Sequence, residues 1–262
     1  MKALSQKRRH PLAAIALLLM GLLLTGGLYA VATTVNEAKA STTTYSANDV
    51  EEGGKLFDAN CATCHGFGAS GTQDGPSLVG VGAAAVDFQV GTGRMPMQMN
   101  GPQALKKPVQ FNDEQTQQLS AYVASLGAGP AVPEEELLDE GGNAAEGGEL
   151  FRTNCAMCHN AAAAGGALTR GKFAPALSDT SGKHIYEAMV TGPQNMPVFS
   201  DSNITPEGKR DIITFLKQIE TTGSPGGADL GSLGPVAEGL FVWVAGLGVI
   251  IAFTIWLTSR TS

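Results

Sequence analysis

Gly53-Gly54-Lys55-Leu56-Phe57-Asp58-Ala59-Asn60-Cys61-Ala62-Thr63-Cys64-His65 returns 94 residues later as Gly147-Gly148-Glu149-Leu150-Phe151-Arg152-Thr153-Asn154-Cys155-Ala156-Met157-Cys158-His159. The copies keep the glycine pair, the Leu-Phe step, the asparagine and the Cys-x-x-Cys-His ending, and differ mainly at positions of exposed type. The correspondence continues downstream: Gly75-Pro76-Ser77-Leu78 answers Ala174-Pro175-Ala176-Leu177, and Arg94-Met95-Pro96 answers Asn195-Met196-Pro197. A repeat of this length makes each copy one small lobe, so the 262-residue chain reads as two lobes in tandem.

Each copy closes on a helical pattern. Leu119, Tyr122, Val123 and Leu126 fall at i, i+3, i+4, i+7, as do Ile212, Phe215, Leu216 and Ile219. Asn112 before Asp113-Glu114-Gln115 and Thr205-Pro206-Glu207 mark the helix starts, and Gly127 stops the first. The segments between opening and closing helices are rich in Gly, Ala, Pro and Ser without strand alternation, which predicts long irregular loops. Phe57 with Tyr122, and Phe151 with Phe215, are the expected crossing points of the two helices. Aromatic residues make up only 6% of the chain, so side chains alone build a thin core, and a lobe of this size needs a staple or a cofactor.

The four cysteines all belong to the two Cys-x-x-Cys-His motifs. Two thiols one helical turn apart can add across the vinyl groups of haem, and the adjacent histidine is then delivered to the iron. This predicts two covalently bound haem c groups, at Cys61, Cys64 and His65 and at Cys155, Cys158 and His159. A zinc site built from the four cysteines leaves both histidines unexplained, a thioredoxin-type pair wants a βαβ setting, and two disulfides ignore the histidines as well. Met95 and Met196, each directly before proline, lie 30 and 37 residues beyond His65 and His159 and are the expected sixth ligands. Met97 and Met99 compete with Met95, and Met189 and His184 with Met196. His184 falls in a helical stretch and reads as a surface residue. Pro76 and Pro175 sit where a backbone carbonyl can fix the proximal imidazole. No paired carboxylates at a recognisable spacing, nucleophile elbow or phosphate loop is present, and filled axial positions leave the iron closed to substrate. The residues predict an electron carrier.

A net charge of −7 and a pI near 5.1 argue against a nucleic-acid partner. Leu12 to Ala32 carries no charge behind Lys2, Lys7, Arg8 and Arg9, and Leu240 to Leu257 carries none ahead of Arg260. Both runs are long enough to cross a membrane, and the flanking basic residues put the lobes on the extracytoplasmic side. Ala38-Lys39-Ala40 also resembles a signal-peptide cleavage site, and the retained anchor is the preferred reading. The expected organisation is a basic tail and membrane helix (1–34), a first lobe (48–127), an acidic Pro/Gly linker (128–144), a second lobe (145–222) and a C-terminal membrane helix (236–258).

Together, the two haem motifs, His184-Ile185-Tyr186-Glu187-Ala188-Met189, Gly192-Pro193-Gln194-Asn195-Met196-Pro197 and Gly234-Pro235-Val236-Ala237-Glu238-Gly239 resemble the dihaem cytochrome c subunit of the actinobacterial cytochrome bcc complex, a menaquinol:cytochrome c reductase. The resemblance covers nearly the whole chain. It implies a mainly α fold of two Class I cytochrome c domains flanked by two transmembrane helices. It also implies a translocase subunit beside a cytochrome b and a Rieske iron–sulfur protein, passing electrons to the CuA centre of an aa3-type oxidase in a supercomplex. By the same analogy the first lobe faces the oxidase and the second the Rieske protein. A stand-alone membrane-anchored dihaem carrier for another redox enzyme is the main alternative, and a dihaem peroxidase a second.

Overall fold

The computed structural model describes residues 15–27, 45–222 and 235–259. The basic N-terminal tail, Ala38-Lys39-Ala40, residues 223–234 and Arg260 lie outside the described residues. Residues 1–43 and 44–262 form two separate units. In the first, helix α1 (Ile15–Gly27) spans about 20 Å at 1.5 Å per residue, less than the roughly 30 Å of a bilayer core. The rest of the uncharged run from Leu12 to Ala32 lies outside the described residues. The second unit holds both lobes.

The first lobe opens on α2 (Ala47–Asn60), runs through the short α3 (Ala62–His65) and α4 (Ala83–Gly91), and closes on α5 (Asp113–Ser125). The second repeats the order with α6 (Ala144–Asn154), α7 (Ala156–His159), α8 (Gly182–Thr191) and α9 (Pro206–Thr222). Capping decides the starts. Ser46 and Asp49 form a reciprocal capping box on α2, and Asn112 and Gln115 form another on α5. Pro206 opens α9, where the missing N–H costs nothing.

Opening and closing helices cross at the glycine pairs. A Cβ on Gly53 would lie 1.9 Å from the Gln118 carbonyl oxygen, and one on Gly147 would lie 1.9 Å from that of Asp211, so only glycine lets the backbones meet. The expected ring contacts lie beside the crossings, with centroids 5.2 Å apart for Phe57 and Tyr122 and 5.6 Å for Phe151 and Phe215. Phe57 and Phe151 are fully buried and anchor one apolar cluster per lobe.

Two expectations need correction. The stretch of the first lobe read as irregular contains α4, which packs on α5 and, across the lobes, on α8. Ala83, Ala84, Val86, Asp87, Phe88 and Val90 are all buried, so this helix has no polar face to mark it in sequence. The second lobe also carries a minimal antiparallel pair, β1 (Gly166–Ala167) with β2 (Phe173–Ala174), in the register Gly166 to Ala174 and Ala167 to Phe173. Gln103 of the first lobe clamps that pair, donating to the Phe173 carbonyl and accepting from the Phe173 N–H, both at 2.9 Å.

The acidic linker is not a free tether. The Pro130 carbonyl accepts from Ala84 N–H at 3.1 Å, Leu137 and Leu138 pack on the second apolar cluster, and Arg210 Nε donates to Asp139 at 2.5 Å. Two apolar residues after the run of glutamates supply the docking that the charges hide.

Lys209 of α9 is fully buried, with its Nζ 2.6 Å from Asp201 Oδ1 and 2.8 Å from the Ile204 carbonyl. It pins the loop that follows Met196. Lys209→Ala should destabilise the protein by about 2–3 kcal/mol, because it strands that carbonyl and removes a packed stem, and chemical denaturation would measure it. A loss below about 0.5 kcal/mol would refute this role.

Near the C-terminus, α10 (Pro235–Phe241) continues through a π-helical turn (Val242–Gly246) into α11 (Leu247–Ser259). Its segment Gly239–Ser259 has 21 residues, about 31 Å of helix, and is long and apolar enough to cross a membrane. It is the one such helix among the described residues.

Candidate haem-attachment sites

Both motifs occupy the same local geometry. The opening helix ends at Asn60 or Asn154, and Cys61 or Cys155 is the junction residue that caps it, its N–H donating to the Phe57 or Phe151 carbonyl. One further helical turn, α3 or α7, carries the second cysteine and the histidine. His65 and His159 are each 9% exposed, in contrast to the exposed Cys64 and Cys158. All four thiols are free. Burial first, then the neighbouring thiol, pushes Cys61 and Cys155 up to about 11.

Past each histidine the chain turns sharply, at Gly66 (φ 76°, ψ 158°) and Asn160 (φ 69°, ψ 155°). The turn brings a loop back over the motif. His65 Nδ1 lies 2.8 Å from the Pro76 carbonyl oxygen, and His159 Nδ1 lies 2.9 Å from that of Pro175. A carbonyl only accepts, so Nδ1 carries the proton in both rings and Nε2 presents its lone pair. Burial holds His159 below the ordinary histidine value, the Pro175 carbonyl opposing, which keeps the imidazole neutral as a metal ligand requires. Glycines permit the close approach: a Cβ on Gly75 would meet the Cys64 carbonyl at 2.7 Å and His65 Nδ1 at 3.1 Å, and one on Gly166 would meet the Cys158 carbonyl at 2.8 Å.

The methionines divide by packing. Met95 is partly buried against the same apolar cluster as Cys61, Phe57 and Leu78. Met97 does not join that cluster, and Met99 is 80% exposed. In the second lobe Met196 packs against the cluster that contains Cys155 and Ala163, and Met189 is buried within α8. Each lobe therefore offers two thiols, an imidazole with a fixed tautomer, and a thioether against one shared apolar cluster. That donor set fits haem c.

Residues 50–127 match the family Cytochrome c, and residues 142–216 match Cytochrome C oxidase, cbb3-type, subunit III. Over 272 residues the chain is 44% identical to the cytochrome bc1 complex cytochrome c subunit of Corynebacterium efficiens, covering 98% of this chain and 92% of that one. The chain belongs to the cytochrome c subunits of the bc1 complex. The member of this family from Mycobacterium tuberculosis is 41% identical over 263 residues, with 98% and 94% covered. Similarity also reaches the Cbb3-type cytochrome c oxidase subunit FixP of Sinorhizobium medicae, 34% identical over 139 residues, half of this chain and 44% of that one. As in any bc1-complex cytochrome c subunit with two cytochrome c domains, covalently bound haem c is implied.

Sequence reading missed a third group of chemically capable residues. Asp87 of α4 and His184 and Glu187 of α8 converge between the lobes, so His184 is half-buried rather than open to solvent, and Asp87 and Glu187 form a carboxylate pair in space that has no recognisable spacing in sequence. Only the helical spacing of His184 and Glu187 was visible beforehand; Asp87 is 97 residues from His184 and had no signal.

Proposed function

We propose that the chain is a dihaem electron carrier within a menaquinol:cytochrome c reductase. Cys61 and Cys64 would hold one haem c, with His65 and Met95 on its iron, and Cys155 and Cys158 the other, with His159 and Met196. The observation that carries this reading is the histidine Nδ1 to proline carbonyl contact, formed in both lobes at 2.8 and 2.9 Å. Haem c supplies reversible one-electron chemistry at iron. The protein's own part is to fix each imidazole, bring a thioether from a rigid loop and exclude water with one apolar cluster per lobe.

Membership of the bc1-complex cytochrome c subunits supports the following assembly. The acidic chain would sit beside cytochrome b and a Rieske iron–sulfur subunit and pass electrons to the CuA centre of an aa3-type oxidase. The proposed domains are 48–127 and 145–222 with the linker 128–144 between them. Membrane helices within 1–34 and 236–258 would hold both lobes on the extracytoplasmic side of the plasma membrane, consistent with the basic residues outside each apolar run.

A pyridine-haemochrome assay on the purified chain should count two haems. Cys61→Ala combined with Cys64→Ala should leave one, still visible by in-gel haem staining. A wild-type count of zero or one would overturn the reading. Isolation in mild detergent should bring down cytochrome b and Rieske subunits; their absence would leave only the stand-alone carrier.

A further inference from the structure

We propose that Asp87, His184 and Glu187 form a binding site for one divalent cation of zinc class on the seam between the two lobes. It stands apart from the haem reading, because none of the three residues belongs to a haem motif.

One imidazole and two carboxylates on two packed helices converge, each offering a ligand atom within 4.8 Å of the others. His184 Nε2 is 3.8 Å from Asp87 Oδ1. Tetrahedral zinc with bonds near 2.0–2.1 Å spaces its ligand atoms about 3.3 Å apart, so that edge has to contract by only about half an ångström. Lys183 Nζ takes the other Asp87 oxygen at 2.7 Å, which turns Oδ1 toward the site. With the cation bound, two carboxylates balance its charge.

Glu187 supplies the independent observation. It is fully buried, and neither carboxyl oxygen has a hydrogen-bond partner of standard geometry among the described residues. A buried carboxyl in that condition costs free energy unless a proton or a cation satisfies it. Burial first, then the charge of Asp87, pushes it up to about 9, with Lys183 opposing and side-chain contact with the Asp87 carboxyl adding to the rise. Burial also holds His184 below its ordinary value, so the imidazole is neutral and able to ligate. The side chain of His184 is 22% exposed, which gives an ion a way in from solvent.

Gly91 completes the cradle. A Cβ there would lie 3.1 Å from His184 Nε2 and 3.6 Å from Asp87 Oδ1. The absent side chain keeps this flank of the ligand atoms clear for a fourth ligand such as water. An imidazole among so few ligands selects zinc-like ions over calcium or magnesium, which want six or more oxygens or an octahedral water shell.

The test uses the untagged full-length holoprotein in detergent, stripped with a chelator and titrated with Zn2+ by equilibrium dialysis. One zinc per chain is expected, not displaced by excess Ca2+ or Mg2+. His184→Ala, Glu187→Gln and Gly91→Ala should each weaken binding at least about tenfold while the haem spectrum stays unchanged. Should Glu187→Gln fail to accumulate, the partly exposed His184→Ala and the small Gly91→Ala change decide the matter. Absence of saturable zinc binding in the wild type, or equal affinity in His184→Ala, would overturn the site. A wild type without zinc whose Glu187→Gln form is equally stable would also overturn it, in favour of two carboxyls sharing a proton.

Discussion

Gly147→Ala, in the second lobe, and Gly53→Ala, in the first, are each expected to destabilise the protein strongly. The added methyl carbon would sit 1.9 Å from a backbone carbonyl oxygen in either case, far inside contact distance, and a backbone cannot swing away as a side chain can. Relief requires the crossing helices to part, which strips contact from Phe151 and Phe215 or from Phe57 and Tyr122. Overpacking against a backbone costs about 3 kcal/mol, the top of the usual range. In a lobe of this size that lowers the melting temperature by more than about 10 °C. Gly54→Ala is the internal control: its Cβ would meet the Tyr122 ring at 3.4 Å, and alanine's better helix propensity, up to about 1 kcal/mol, makes it neutral or stabilising. Equal melting temperatures for Gly53→Ala and Gly54→Ala would remove the argument.

The second large effect concerns the sixth ligand. On the proposed reading of two haems with Met95 as one sixth ligand, Met95→Leu should strip the thioether from one haem and leave the other intact. The weak long-wavelength band of thioether-ligated ferric haem should halve, carbon monoxide should bind one haem per chain, and one reduction potential should fall by on the order of 0.1 V or more, within the wide range axial ligands control. Met97→Leu and Met99→Leu should change none of these. The discrimination rests on packing, since Met95 lies against the Cys61 cluster and Met99 projects into solvent. If Met97→Leu produced the half-loss instead, the pairing of the repeated Met-Pro steps would be wrong.

What could be read beforehand was whatever the repeat wrote twice. The cysteines, histidines, Pro76 and Pro175, and the Phe57–Tyr122 and Phe151–Phe215 crossings all sit at matched positions, and duplication turns a weak local signal into a strong one. The capped starts at Asn112 and Pro206 were legible because side-chain and backbone chemistry there is local. Helix α4 escaped because burial on several sides erases the polar stripe that periodicity needs. The docking of the acidic linker had no signal because five carboxylates outweigh Leu137 and Leu138 in composition, although the two leucines pack on the second lobe. Asp87, His184 and Glu187 escaped for a different reason: the seam between lobes is the part of the molecule that the repeat does not encode, because the two copies contribute different residues to it.

That seam has a thermodynamic consequence. Lys183 reaches Asp87 and Gln103 is paired with Phe173, so melting either lobe hands its neighbour unpaired polar groups. The free energy of the two halves is therefore not a simple sum. Each copy acts as part of the other's native environment, and a lesion in one is felt by both. The two copies share a motif, and the polar groups each turns toward the seam are satisfied by the other.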